Sequence, residues 1–371
     1  NQDSPEMNMF MNYYREYIQQ GFPVKFYFSG NINSAEDECD FIRAMKQQGV
    51  SGIISFYGQD IRKIVETCDE EEMYYVLGSG NISDEDYDKI KNSQYFLGNV
   101  GPDAKADYEA GYNMAEYFAD ADTSKYIVLT GGSSAGNYMH LQRAIGVLEA
   151  LAEKEGLTYS EDVEKLAASE ETTVVDTGKD DISITICPGY MTAPKGINNL
   201  KHAFVDGNYD AVLCTFNVDE IMKIVTAKED EQGSNIKIGA VDCFSQENHD
   251  EINTEDSFGN PKIDYIAGKY ASMGGPAFAI LYNAMAGYPE ANTDDADSNT
   301  VRLYQGFWSA SDKASFNKLY GYTQDIYENA YSCADLMKVI KSYNPDTTPD
   351  DMKALTEAYT VEDVQKRMEE K

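Results

Sequence analysis

The side chains able to do recognition chemistry in this chain fall just past short apolar runs. Tyr57 and Gln59 follow Ile53-Ile54-Ser55-Phe56, and Tyr138 and Arg143 follow Tyr126 to Thr130. Tyr190 follows Ile186-Cys187, Phe216 and Asn217 follow Val212-Leu213-Cys214, and Asp242 with Phe244 follows Ile238-Gly239-Ala240-Val241. Aromatic rings, one guanidinium, amides and a carboxylate together suit a neutral, hydroxyl-rich ligand. Rings stack on its apolar faces while Arg143 and Asp242 form charge-assisted hydrogen bonds to its hydroxyls. With 28 tyrosines in the chain, any one ring taken singly is as readily core packing. Recurrence at equivalent places is what singles out the set.

Catalytic and cofactor motifs do not compete with this reading. Gly131-Gly132-Ser133-Ser134-Ala135-Gly136 lacks the following Lys-Ser/Thr of a phosphate-binding loop, Asn137-Tyr138 standing there instead. Gly78-Ser79-Gly80 lacks the third glycine of a dinucleotide fingerprint. Asp295, Asp297 and Asn299 have the opening spacing of a calcium loop, but Thr300 replaces its glycine and Gly306 its terminal glutamate. His140, His202 and His249 form no HExxH, and no Gly-x-Ser-x-Gly elbow is present. Six dispersed cysteines form no CxxC pair. Neither a metal, a cofactor nor a reaction is expected.

The elements that must position these residues alternate along the chain. Strands are predicted at Val24 to Phe28, Gly52 to Phe56, Tyr74 to Leu77, Tyr95 to Val100, Tyr126 to Thr130, Ser183 to Cys187, Ala211 to Thr215, Lys237 to Val241 and Val301 to Trp308. Helical windows intervene, among them 7–20, 35–48, 60–70 and 105–120, and further helices follow Trp308. Such alternation predicts an α/β chain of two doubly wound parallel sheets in succession. In sheets of this kind ligands sit beyond the carboxyl ends of the strands, where the residues above fall. One strand is missing from the pattern: a strand should feed the helix at 7–20, yet Asn1 to Pro5 is polar and turn-like, so that strand is expected upstream or absent.

Composition narrows the partners. The chain has 371 residues, long enough for two lobes, and 64 acidic against 30 basic residues leave a formal charge of −34. That charge repels phosphate backbones and anionic headgroups, so nucleic acid is not an expected partner. No apolar run reaches the ~20 residues that span a bilayer.

Several segments carry a family resemblance. Gln47-Gln48-Gly49-Val50-Ser51-Gly52-Ile53-Ile54, Asp107-Tyr108-Glu109-Ala110-Gly111-Tyr112, Arg143-Ala144-Ile145-Gly146-Val147, Phe216-Asn217-Val218-Asp219-Glu220 and Ile238-Gly239-Ala240-Val241-Asp242 occur in order and at spacings that resemble the type I periplasmic binding proteins. That group includes ribose- and galactose-type receptors and the effector domains of lactose-repressor-like regulators. The resemblance implies two lobes joined by a hinge that close on a ligand in the cleft: 1–104 with 269–299, 105–268 with 300–310, and a C-terminal helical extension at 311–371. It gives Arg143 and Asp242 the role of holding ligand hydroxyls, with Asn217 or, one register on, Asp219 beside them. It also marks a departure, because Gly78-Ser79 stands where ribose-type receptors carry an Asp-Arg pair. The implied function is that of an extracytoplasmic, lipid-anchored Gram-positive solute-binding protein, monomeric, passing a small polar ligand, most plausibly a carbohydrate, to an ABC permease. A regulator's effector domain or a receptor feeding a membrane sensor shares the same fold.

Overall fold

A computed structural model describes residues 4–119, 123–218, 221–294, 298–324 and 330–369. Among them the strands in chain order are β1 (Gly52–Ser55), β2 (Tyr74–Gly78), β3 (Phe96–Gly101), β4 (Lys125–Gly131), β5 (Thr173–Val174), β6 (Ser183–Pro188), β7 (Ala211–Cys214), β8 (Lys237–Cys243), β9 (Tyr265–Lys269), β10 (Val301–Tyr304) and β11 (Trp308–Ala310). They make two sheets, β1-β2-β3-β10 and β11-β9-β8-β7-β4-β6-β5. The chain divides into two compact units, Asn1–Asp103 with Ala271–Gly306 and Gly321–Lys371, and Ala104–Tyr270 with Phe307–Tyr320.

In the first unit every strand pair is parallel. The Ala35–Gln47 and Ile61–Glu70 helices bury Cys39, Ile42, Ile64 and Cys68 against Tyr75 and Phe96. Ser34 starts the first of these with a capping box in which its Oγ accepts from Asp37 N and Asp37 accepts from the Ser34 backbone. The Gly275–Met285 helix is apolar all round, from Ala277 to Leu281 without a polar residue, and is accordingly buried along nearly its whole length.

The second unit is parallel through β9-β8-β7-β4-β6 and carries an antiparallel strand at each edge, β11 on β9 and β5 on β6. Its β-rich runs are buried on both faces, with Ile127, Val128, Leu129, Val212 and Leu213 fully enclosed, as expected of parallel strands covered by helices. Two of those helices, Ala104–Ala119 and Tyr138–Glu155, cross closely. A Cβ on Gly111 would come within 2.0 Å of Arg143 O, and one on Gly146 within 2.2 Å of Tyr108 O.

Three differences from the sequence reading have physical causes. The run Val301 to Trp308 is two strands: β10 pairs with β3 in the first unit and β11 with β9 in the second, so Val301–Tyr304 does not belong with the second lobe as expected. Val24 to Phe28 is extended but joins no ladder among the described residues. Residues 321–371 are no appendage, because their described part is built into the first unit. Tyr331 is fully buried, its carbonyl accepts from Tyr13 Oη at 2.9 Å, and its own hydroxyl donates to Thr356 O at 2.9 Å. Cys333 N donates to Tyr17 Oη at 2.9 Å, and Asn283 Nδ2 donates to Val339 O at 3.0 Å. Burial of Leu336, Val339, Ile340 and Met352 supplies the apolar driving force.

Candidate functional site

The second unit's strand ends carry the denser cluster. The loop after β4 turns at Gly131, in the left-handed region at φ 55°, and at Gly132, then enters the Tyr138–Glu155 helix through Asn137. Asn137 is the N-cap: its Oδ1 accepts from His140 N at 3.2 Å, while its Nδ2 donates to Tyr190 Oη at 3.0 Å. One residue therefore starts the helix and fixes the ring that follows β6. His140 lies between the rings of Tyr190 and Phe216, each centroid 5.6 Å away, and stacks on Phe216 at 22°. Both glycines are needed for this closeness, since a Cβ on Gly131 would meet His140 Nδ1 at 2.5 Å and one on Gly132 would meet Tyr190 Oη at 2.2 Å.

His140 is buried, and its Nδ1 accepts from Gly132 N at 3.1 Å. Burial first, then the positive charges of Arg143 and Lys269, push its pKa down to about 3. The imidazole is thus neutral, and because Nδ1 is an acceptor the ring proton is assigned to Nε2.

Arg143 occupies the next turn of the same helix. Its Nε donates to Asp107 Oδ1 at 2.8 Å and its Nη1 to Thr215 O at 3.0 Å, while its guanidinium lies 5.4 Å from the Phe307 ring centroid. Arg143 therefore ties the Ala104–Ala119 helix and the end of β7 to the helix that carries His140. From the end of β8, Asp242 Oδ2 accepts from Val218 N at 3.0 Å, which holds the segment containing Phe216 and Asn217.

Of the ten residues singled out by sequence, Tyr138, Tyr190, Arg143, Phe216, Asn217 and Asp242 all belong to this unit at or near strand ends. Tyr138 is 56% exposed and Tyr190 39%, so both rings are presented to solvent. Phe244 must be corrected. It is fully buried, stacked on Phe316 at 4.9 Å and edge-on to Trp308 at 6.0 Å, and so serves the core. Asp219 lies outside the described residues, as do Asp295 and Asp297 of the calcium-like spacing. His140, absent from the set, is the residue that spacing could have found: Asn137-x-x-His140 after a glycine loop is a helix cap that fixes the histidine at the strand end.

Tyr57 and Gln59 belong to the first unit, past the end of β1, where Tyr57 Oη donates to Gln59 Oε1 at 3.0 Å. At the end of β2, Ser79 adopts φ 56°, a left-handed conformation that a non-glycine residue holds only at a cost. Its Oγ is buried and unpartnered. The ends of β2 and β3 also approach closely there, since a Cβ on Gly101 would lie 2.6 Å from Gly80 N. Among the described residues no group of three or more His, Cys, Asp or Glu side chains is placed to hold a metal ion. No helix among them is long and apolar enough to cross a membrane.

No family model and no curated protein matches the sequence. Solved structures do match over most of the chain. A protein from Mycobacterium smegmatis in complex with β-D-fucofuranose is 15% identical with a TM-score of 0.56, over 91% of this chain and 94% of that one. An ABC transporter solute binding protein from Bacillus halodurans C-125 with bound myo-inositol is 13% identical with a TM-score of 0.58, over 86% and 94%. An ABC transporter periplasmic solute binding protein from Actinobacillus succinogenes 130z with bound D-allose is 12% identical with a TM-score of 0.58, over 85% and 95%. Likeness at such low identity speaks to architecture, and on it the chain has the α/β fold of the type I periplasmic binding proteins.

Proposed function

We propose that the chain is an extracytoplasmic solute-binding protein that captures a carbohydrate, hands it to an ABC importer permease and performs no chemistry on it. The observation that carries this reading is the neutral polar and aromatic cluster at the strand ends of the second unit. Exposed Tyr138 and Tyr190 rings offer faces for the C–H side of a sugar, and His140, kept uncharged, offers a directional hydrogen bond without the desolvation cost of an ion. Asn217 and Asp242 belong to the same strand-end face and are the proposed hydroxyl partners. Arg143 acts in this reading as a positioning residue, because its Nε and Nη1 are already committed to Asp107 and Thr215. The sugars and cyclitol bound by proteins of the same fold support the ligand class. Attachment to the outer face of a Gram-positive membrane through a lipid, and action as a monomer, belong to the same proposal.

A thermal-shift and calorimetric screen against D-allose, myo-inositol, D-galactose, D-fucose, L-arabinose and D-ribose tests it, with amino acids and nucleosides as controls. Saturable 1:1 binding to a sugar or cyclitol is expected. Binding confined to the controls would overturn the carbohydrate assignment.

A further inference from the structure

The chain passes from one unit to the other at 103/104, 270/271, 306/307 and 320/321. The first three crossings fall at breaks between elements, where a few residues can absorb a change of φ and ψ. The fourth falls inside a helix, Lys313–Gln324, whose backbone is helical on both sides of the crossing. A helix resists bending, because a sharp bend disturbs its i to i−4 hydrogen bonds.

Both ends of that helix are held, each within its own unit. On the side of the second unit Phe316 is fully buried and stacked on Phe244, and Asn317 and Asn253 exchange two amide hydrogen bonds at 2.9 and 3.0 Å. Tyr320 Oη donates to Gln246 Oε1 at 2.7 Å while its ring stacks on His249 at 4.4 Å. On the side of the first unit Thr323 Oγ1 accepts from Ser272 N at 3.4 Å. Tyr322 Oη accepts from Gln365 Nε2 at 3.2 Å, and Tyr322 O accepts from Ala330 N at 2.8 Å. Gly321 is the residue between these two sets of anchors.

Packing does not ask for a glycine there. Gly321 is exposed, a Cβ on it would meet no atom within 4 Å, and its φ is not positive. Gly111 and Gly146 differ, since each has another helix's backbone where its Cβ would stand. What glycine does supply at 321 is a weak point, because it loses more freedom on entering a helix than any other residue.

We propose that Lys313–Gln324 is a strut joining the two units and that Gly321 is its bend point, so that bending here sets how freely the units reorient during ligand capture. This rests on the proposed solute-binding function and on the lobe closure that the family resemblance implies.

Double electron–electron resonance tests the bend point without any sugar. Spin labels go on Glu66→Cys in the first unit and Asn198→Cys in the second, both exposed positions, in a Cys333→Ser background, the other five cysteines being buried. With Gly321 in place more than one inter-label distance is expected. Gly321→Ala should cut the less populated distance about four- to fivefold, the factor by which glycine weakens a helix position relative to alanine. Adding Lys318→Gly to Gly321→Ala moves the weak point in among the second unit's anchors, and should leave the distribution as in Gly321→Ala. A single sharp distance with Gly321 in place overturns the proposal. So does an unchanged distribution in Gly321→Ala, or a return to the original one when the glycine is moved. Because no ligand is added, a failed sugar screen overturns the carbohydrate reading and leaves this result standing.

Discussion

Arg143 Nε donates to Asp107 Oδ1 at 2.8 Å, with the two side chains only 7% and 2% exposed. This pair joins two helices whose closeness depends on Gly111 and Gly146, and Arg143 follows His140 by three residues in the same helix. Breaking it from one side takes the opposite charge away from a buried ion, which costs about 3–5 kcal/mol. Asp107→Ala and Arg143→Ala should each lose stability on that scale in urea unfolding. The double variant Asp107→Leu/Arg143→Met should lose markedly less than either, which a role for Arg143 in ligand contact alone does not predict.

The two helix-crossing glycines should tolerate no side chain. With Cβ contacts of 2.0 and 2.2 Å to backbone oxygens, Gly111→Ala and Gly146→Ala force the helices apart and should cost about 1–3 kcal/mol or more. Gly321 is the internal control. It lies exposed in the Lys313–Gln324 helix, with nothing within 4 Å of where a Cβ would sit, so Gly321→Ala should gain about 0.5–1 kcal/mol. Denaturant midpoints check both.

His140 should not titrate in the physiological range. Its folded pKa of about 3 lies below the ordinary 6.5, so the unfolded chain binds the extra proton first as pH falls. This group's contribution is fully present above pH 6.5 and is lost between 6.5 and 3, at up to ~1.4 kcal/mol per pH unit. Asp264 works in the opposite sense, since burial raises its pKa to about 6 and its contribution is lost as pH rises from 3.8 to 6. Proton NMR resolves the two: the His140 ring resonances should stay fixed from pH 8 to 5, and His140→Gln should flatten the acid side of the stability profile while leaving the Asp264 contribution in place.

Asn137 has two jobs that substitution separates. Asn137→Ala loses the helix cap and the anchor of Tyr190, and should cost about 0.5–2 kcal/mol with weaker ligand binding. Asn137→Ser restores the cap and its stability, but not the bond to Tyr190 Oη, so binding should stay impaired in calorimetry.

The alternation of apolar runs and helical windows was enough to read most strands, because parallel strands buried on both faces are continuous Val/Ile/Leu stretches such as Tyr126 to Thr130. Reading failed where the decisive partner is remote. Val301 to Trp308 looks continuous along the chain, yet β10 and β11 bond to strands in different sheets. Tyr265–Lys269 hides as a strand because its short run is broken by a glycine and ends in a charge. Phe244 follows β8 as Phe216 follows β7, both rings being buried, and its packing against Phe316 and Trp308 is what sets it in the core, away from the His140 cluster. The guanidinium of Arg143 was legible as a strand-end group; its commitment to Asp107, 36 residues away, was not, since side-chain pairing across two helices leaves no trace in spacing.

In the proposed function a sugar is held at the strand ends around His140, Tyr190 and Tyr138. Titration calorimetry of the wild-type chain and of Tyr190→Ala against the sugars and cyclitol of the screen tests it most directly. One of them should bind 1:1, raise stability by about 2.7 kcal/mol at a hundred times its Kd, and lose at least about tenfold in affinity in the variant. Unchanged affinity in Tyr190→Ala, or no sugar binding by a folded wild-type chain, would rule this sugar site out.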